Sequence, residues 1–440
     1  MSEFRLLTAT LAPSLLAALV VGLPPQPVRA ATLTVTNCND SGAGSLRRAV
    51  SNALSGDTID LTALTCNRIL MGSGWITVPQ DDLTLVGRGR FELTLDGNDT
   101  VRIFRHTGAG TLRIERMSLA NGRYRGRGGC ILSEIGSVEL VRSRVHHCHV
   151  DGAVTSGGGI AAQGNVSLSY SSVYANSTAT FGPGAGIAAS HHVTLDHSQV
   201  YGNVGGRGAG VLAGGLTANY SLIHDNRGTG GSGAVVGNVF EDSVTINKST
   251  ISNNITTADP RFSSTPSAGA LSITAMRGLL IIDSTISGNR APHAAALSTG
   301  VGARIINSTI AFNHDTDADP IDHQCVGAIA GNGMRLENSI VARNTCDAGP
   351  AWDIDFSIIG GSNNLIEWSK SAVPVDTILY TDPRLAALAD NGGPTRTHML
   401  LADSPAIDRG DNDFNRQFDQ RGPGFARVKG AFADIGAIER

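Results

Sequence analysis

Apolar and polar positions along this chain do not follow the 3.6-residue period of an amphipathic helix; they recur as one short pattern. An apolar residue is followed by two variable positions, Ser, one variable position, Val or Ile, and commonly two more positions and Asn. The pattern appears about ten times between Leu112 and Ile359. It reads Leu168, Ser171, Val173, Asn176, then Leu195, Ser198, Val200, Asn203, then Ala218, Ser221, Ile223, Asn226, then Ile246, Ser249, Ile251, Asn254. It continues through Ile281, Ser284, Ile286, Asn289 and Ile305, Ser308, Ile310, Asn313 to Leu336, Ser339, Val341, Asn344. The intervals between successive Ser positions are unequal, up to 35 residues. That suits solenoid turns with loops of varying length better than a helical repeat of fixed length. The predicted fold is all-β, a right-handed single-stranded parallel β-helix.

Stacking supplies the reason. Val or Ile at one station of every coil lies about 4.8 Å from its neighbour, which buries a continuous apolar column that no single coil could form alone. A buried hydroxyl or amide at one station can bond the group one coil away, so the Ser and Asn columns read as polar ladders. A nucleophilic Ser needs one positioned base, and repeated equivalent copies are not a site. Gly158-Gly159-Ile160, Ala185-Gly186-Ile187 and Ala209-Gly210-Val211 mark a second station, a tight corner followed by an inward apolar residue.

Leu46, Ala49, Val50 and Ala53 after Ser45 have helical spacing, which predicts an N-terminal helical cap over the open end of the first coil. Residues 1–30 read as a secretory leader: Arg5, the apolar stretch Leu6 to Leu23, and a small-residue cleavage site ending at Ala30. The expected division is then 31–110 for the cap and first coils, 111–368 for the repeats and 369–440 for a C-terminal capping region. No later segment is apolar enough to suggest a membrane span.

Composition is consistent with export. Gly is frequent, 54 of 440 residues, while aromatic residues are 5% and charged residues 16%. The formal net charge of −4 lacks the basic excess of a nucleic-acid-binding domain. In an exported chain six cysteines suggest disulfides; proximity favours Cys38 with Cys66, Cys130 with Cys148, and Cys325 with Cys346, although six allow about 15 connectivities. His146, His147 and His149 surround Cys148, but alternate residues of a strand point to opposite faces, so no metal site is expected there.

Thr36-Asn37 followed by Asp40-Ser41-Gly42-Ala43-Gly44-Ser45-Leu46-Arg47 resembles the opening of many exported bacterial β-helix proteins. The blocks Asp390 to Thr395, His398, Ser404 to Asp408, Asp419 to Gly422 and Asp434 to Glu439 resemble the choice-of-anchor Q domain. That resemblance covers about the last 60 residues and implies a secreted or surface-associated bacterial protein. The chain ends at Arg440 without the variable anchor of that pattern, so release or loose attachment to the cell surface is expected. The family carries no single activity.

Function must then come from the outward stations. These hold Arg142, Arg144 and His146; Tyr170 and Tyr174; His197, Gln199 and Tyr201; Tyr220 and His224; and Lys248. Four of the six tyrosines lie in this stretch. Five strands would align them in a stripe roughly 20 Å long. Aromatic faces beside Arg, Gln and His suit an extracellular polysaccharide or cell-surface polymer, the sugar C–H faces packing on rings. A polysaccharide lyase is the alternative, with Tyr201, His224 and His197 moving protons and Arg144 neutralising a uronate carboxylate. A structural or adhesin-like surface protein without catalysis is the third. No pair of facing carboxylates emerges for a hydrolase. Calcium ligands are conceivable at Asp315, Asp317, Asp319 and Asp322 with His314 and His323, or at Asp411, Asp413 and Asn415, although neither cluster matches a calcium-loop motif. Farther along, Thr285, Ser287, Thr309 and Ala311 occupy the outward stations and look bland.

Overall fold

A computed structural model describes residues 30–440 except 180, 238–241, 259–267, 274–277, 318–324, 332, 350 and 356–357. The leader read over residues 1–30 therefore lies outside the described residues apart from Ala30, as do Asp319, Asp322 and His323.

The chain winds into a parallel β-solenoid whose coils each add a strand to successive sheets. Among the described residues the first sheet has 13 strands, from Thr32–Thr34 to Ile358–Gly360; the second has 13, from Arg68–Leu70 to Ile378–Leu379; the third has 11, from Ile76–Val78 to Trp352–Ile354. Short sheets of three and five strands line the corner between the second and third. The coil strands run from Thr32–Thr34 to Ile378–Leu379.

Register puts the repeated apolar residues in columns. In the second sheet Val145, Val173, Val200, Ile223, Ile251 and Ile286 stack, none more than 1% exposed. Ile160, Ile187, Val211, Val235, Leu271 and Leu297 form the matching column in the third. The Ser ladder runs along the corner between the first and second sheets, and the Asn ladder along the corner after the second. The Ser171 N–H donates to Ser198 Oγ at 3.1 Å, Ser198 to Ser221 and Ser221 to Ser249, while each hydroxyl donates to the carbonyl two residues back. In the Asn column, Nδ2 of Asn176 donates to Oδ1 of Asn203, and so on through Asn226, Asn254, Asn289, Asn313 and Asn344 to Asp353. Each rung satisfies groups that burial would otherwise leave unpaired.

The residue before each ladder Ser is left-handed although none is Gly: φ is 49° at Arg142 and Tyr170, 46° at His197, 48° at Tyr220 and 49° at Lys248. Such a residue costs on the order of 1 kcal/mol, which the ladder and the columns on either side impose. This corner turns Arg142, Tyr170, His197, Tyr220 and Lys248 out at the edge of the second sheet.

The helix Leu46–Asn52 buries Leu46, Ala49 and Val50 against the first coils, and Ser45 Oγ caps it by accepting from the Arg48 N–H. Gln80 Nε2 satisfies its last carbonyls, donating to Val50 O and Ala53 O. The three disulfides are Cys38–Cys66, Cys130–Cys148 and Cys325–Cys346.

After Ile378–Leu379 the chain folds back along the outer face of the second sheet. Gln420 accepts from Thr285 Oγ1 and donates to Thr250 Oγ1, His398 Nε2 lies 2.8 Å from Ser287 Oγ, and the Ala437 N–H donates to Thr309 Oγ1. The bland outward stations are therefore a buried dock, and Ile340 and Ala342 at equivalent stations join Leu400, Ala406 and Ile435 in a second apolar cluster. Lys248 changes role for the same reason. Expected on the ligand-binding face, it is only 6% exposed, pairs with Asp283 at 3.1 Å, and donates to the carbonyls of Phe418 and Asp419. The fold-back turns an outward station into an interior one.

Candidate functional site

The uncovered part of the second sheet carries two rows of rings. The inner row consists of His146, Tyr174, Tyr201 and His224, third residues of strands paired in register. Their ring centroids are 4.8, 4.7 and 4.9 Å apart in order, with planes 14°, 1° and 2° from parallel. The corner row consists of Tyr170, His197 and Tyr220, with centroids 4.8 and 4.9 Å apart. Strand spacing alone sets these distances.

This geometry corrects the expectation that sugars pack on ring faces. The faces are turned toward one another along the solenoid axis, so phenol oxygens and imidazole nitrogens project as a row of hydrogen-bonding edges. It also separates residues expected to act together: His197 belongs to the corner row, across the left-handed corner from the strand Gln199–Tyr201 that carries Tyr201. Between the rows lie Arg144, Ser172, exposed Gln199 and Leu222.

Both ends of this floor are walled by residues that the repeat pattern did not single out. At one end the Arg144 guanidinium sits 4.1 Å from the Phe91 ring centroid and donates to Arg90 O and Ser118 Oγ, while Arg90 Nη1 donates to Tyr170 O. At the other end the fold-back closes on Tyr220, where a Cβ added to Gly422 would lie 3.0 Å from the ring. Arg142 remains exposed at the corner. Phe91, 73% exposed within the Gly-Arg-Gly-Arg-Phe segment, was the one sequence signal for the first wall.

Partners and burial differentiate the rungs. Burial, reinforced by His147 and Arg144, pushes the His146 imidazolium down to about 4, so His146 is neutral near pH 7. Its Nδ1 is 2.8 Å from Nδ1 of His147. Burial, with Tyr174 alongside, raises the Tyr201 phenol above its ordinary value, and burial raises Tyr220. His224 Nδ1 donates to Asp225 at 2.6 Å and His197 Nδ1 to Asp196 at 3.1 Å, fixing both rings. Asp225 and Asp196 sit beside the histidines in sequence and were legible only through them.

The remaining ligand candidates lie elsewhere. His149 contacts Ser177 and Asp151, away from His146, and Cys148 is in a disulfide. Asp315 is buried and accepts the N–H groups of His293, Asp317 and Val326, whereas Asp411 accepts from Asn363 and the Asp413 N–H. Among the described residues no group of three or more His, Cys, Asp or Glu side chains is placed to hold a metal ion.

No family model and no curated protein matches this chain. Among solved structures it is similar to a crystal structure of pectate lyase Pel9A, with 14% identity, a TM-score of 0.48, and 94% of this chain and 98% of that one covered. It is also similar to the PL6 family alginate lyase AlyGC, with 13% identity, a TM-score of 0.43, and 90% of this chain but 60% of that one covered. Both likenesses concern the course of the chain only.

Proposed function

We propose that this is an exported β-helix protein that binds an extracellular polysaccharide or cell-surface polymer along the row His146, Tyr174, Tyr201 and His224. The observation that carries this reading is the repetition of hydrogen-bonding ring edges every 4.7–4.9 Å on an open, walled floor. Equivalent groups at constant spacing suit a polymer lying along the solenoid axis, with hydroxyls at the ring edges and carboxylates near Arg144. Three disulfides support export, and no helix among the described residues is long and apolar enough to cross a membrane. The fold-back is proposed as a choice-of-anchor Q-like module that doubles as a wall of the site.

A lyase is the second reading, favoured by the protonation states of the row. His146, held neutral, can accept a proton, and Tyr201, held protonated, can donate one. In β-elimination a base takes the uronate C5 proton, the electron pair forms the C4–C5 double bond, the C4–O bond breaks, and the leaving oxygen takes a proton. His146 and Tyr201 stand two rungs apart with Tyr174 between them, whereas Tyr201 and His224, 4.9 Å apart, are on adjacent rungs and are the pair expected from the sequence.

A glycan array with the leaderless protein, followed by incubation with each bound acidic polymer, separates the readings. Binding without chain shortening supports the binding protein. Ultraviolet absorbance from unsaturated uronate ends that grows in wild type and disappears in Tyr201→Phe establishes the lyase. Absence of both over acidic and neutral polymers leaves a structural surface protein.

A further inference from the structure

A cavity lies at the N-terminal end of the solenoid, on the corner between the second and third sheets, and none of the outward-station residues lines it. Its volume is about 440 Å³, and it is lined by Trp75, Arg102, Arg123, Tyr124, Arg125 and Asp151 among others. That is within the roughly 300–1,000 Å³ range of small-molecule sites. Trp75 and Tyr124 meet edge to face, with centroids 5.8 Å apart. Arg47 of the capping helix fixes this wall by donating to the carbonyls of Gly74 and Trp75.

Arg102 is the unusual member. It is 1% exposed, its Nε and Nη2 donate to the carbonyls of Gly128 and Arg127, and its guanidinium lies 3.7 Å from the Tyr124 ring centroid. Among the described residues no carboxylate pairs with it. Glu134 acts on it only at a distance while held by Arg105; a buried cation with no carboxylate in contact is costly, and an anionic ligand relieves that cost. The rim reinforces the sign, with Arg123 and Arg125 against one carboxylate, Asp151, which Arg123 and His149 already engage.

We propose that this cavity binds a single carboxylate-bearing sugar residue, a uronate, with the sugar ring against Trp75 and Tyr124 and the carboxylate toward Arg102 and Arg125. Aromatic walls suit the apolar side of a pyranose, and guanidinium groups suit the planar carboxylate. The site is independent of the ring row and does not rest on the function proposed for it. A free uronate and the terminal uronate of a polymer share this chemistry.

Isothermal titration calorimetry of the leaderless protein with D-galacturonate, D-glucuronate, the matching neutral sugars and a galacturonate oligomer tests it. Uronates are expected to bind about tenfold or more tighter than their neutral counterparts, and Arg102→Gln to remove that preference. Arg125→Gln, at the rim, is expected to weaken uronate binding severalfold, and Tyr201→Phe to leave monosaccharide binding unchanged. Binding of the oligomer but not the monomer in wild type, lost in Arg125→Gln, assigns the site to chain ends. Equal affinity for uronates and neutral sugars, wild-type uronate affinity in Arg125→Gln, no binding of either uronate form, or monosaccharide uronate binding lost in Tyr201→Phe each overturns the proposal. Arg125→Gln decides the matter if Arg102→Gln does not fold.

Discussion

The phenol rings of Tyr174 and Tyr201 lie within 1° of parallel with their centroids 4.7 Å apart, one coil directly above the other. Each ring covers its neighbour's face, leaving the hydroxyl as the part a ligand can reach. Tyr201→Phe therefore keeps the stack and removes one hydrogen-bonding edge. Polymer affinity should fall by about 0.5–1.5 kcal/mol, with the melting temperature unchanged. Tyr201→Ala should weaken binding further, because Tyr174 and His224 lose the ring between them. Titration of the polymer selected on the array, beside thermal melts, measures both.

Val200, fully buried between Val173 and Ile223, sits one residue from Tyr201. Val200→Asp places an unpaired charge in the apolar column and should destabilise by about 3 kcal/mol or more. Tyr201→Ala should melt close to wild type. Circular dichroism melts that rank the two the other way would refute the inward and outward stations.

The fold-back is held to the solenoid by a buried carboxylate. Asp283, with no exposure, accepts from Arg416, from Lys248 at 3.1 Å and from Asn307 Nδ2 at 3.0 Å. Asp283→Asn leaves Lys248 and Arg416 without their shared anion, at a cost of about 3–5 kcal/mol. Limited proteolysis should then release fragments from the region after 380 while the coils resist cleavage.

His398 makes the same dock sensitive to acid. Its Nδ1 donates to Ala386 O, its Nε2 accepts from Ser287, and burial lowers its pKa below the ordinary 6.5. The unfolded chain takes up the proton first. Stability is therefore full above about pH 6.5 and falls as pH drops below it. Cleavage of the fold-back should accelerate at pH 5, and His398→Gln should remove that dependence.

Asp353 acts in the opposite direction at the end of the Asn ladder. Burial raises its carboxyl from 3.8 to about 7, although it accepts from Asn344 Nδ2 and the Trp368 N–H. The folded state retains the proton between about pH 4 and 7 while the unfolded state releases it. Stability is thus lost as pH rises through this window, by about 4 kcal/mol at most. Asp353→Asn should flatten this slope in melts from pH 4 to 8, while costing about 1 kcal/mol because, with the amide oxygen kept toward Asn344, its NH2 replaces the oxygen that accepts from the Trp368 N–H.

The sequence by itself determined the coil. Ser198, Val200 and Asn203 were legible as inward stations because a strand alternates faces and a solenoid repeats each station on every turn. The helix after Ser45 followed from equally local spacing, whereas proximity only favoured a pairing of the six cysteines that the fold then fixed as Cys38–Cys66, Cys130–Cys148 and Cys325–Cys346. Tertiary structure decided what lies over each outward station. Lys248 and Tyr220 occupy equivalent corners, yet Lys248 is buried because Phe418 and Asp419, about 170 residues later, fold onto it. The ring row was visible as a set of residues, but register and side-chain direction decided that its faces turn toward one another. Arg102, Trp75 and Tyr124 share no station of the repeat, so only the corner that gathers them reveals a cavity. Local alternation and repetition fix which way a side chain points, whereas contacts between distant segments depend on how the whole chain closes.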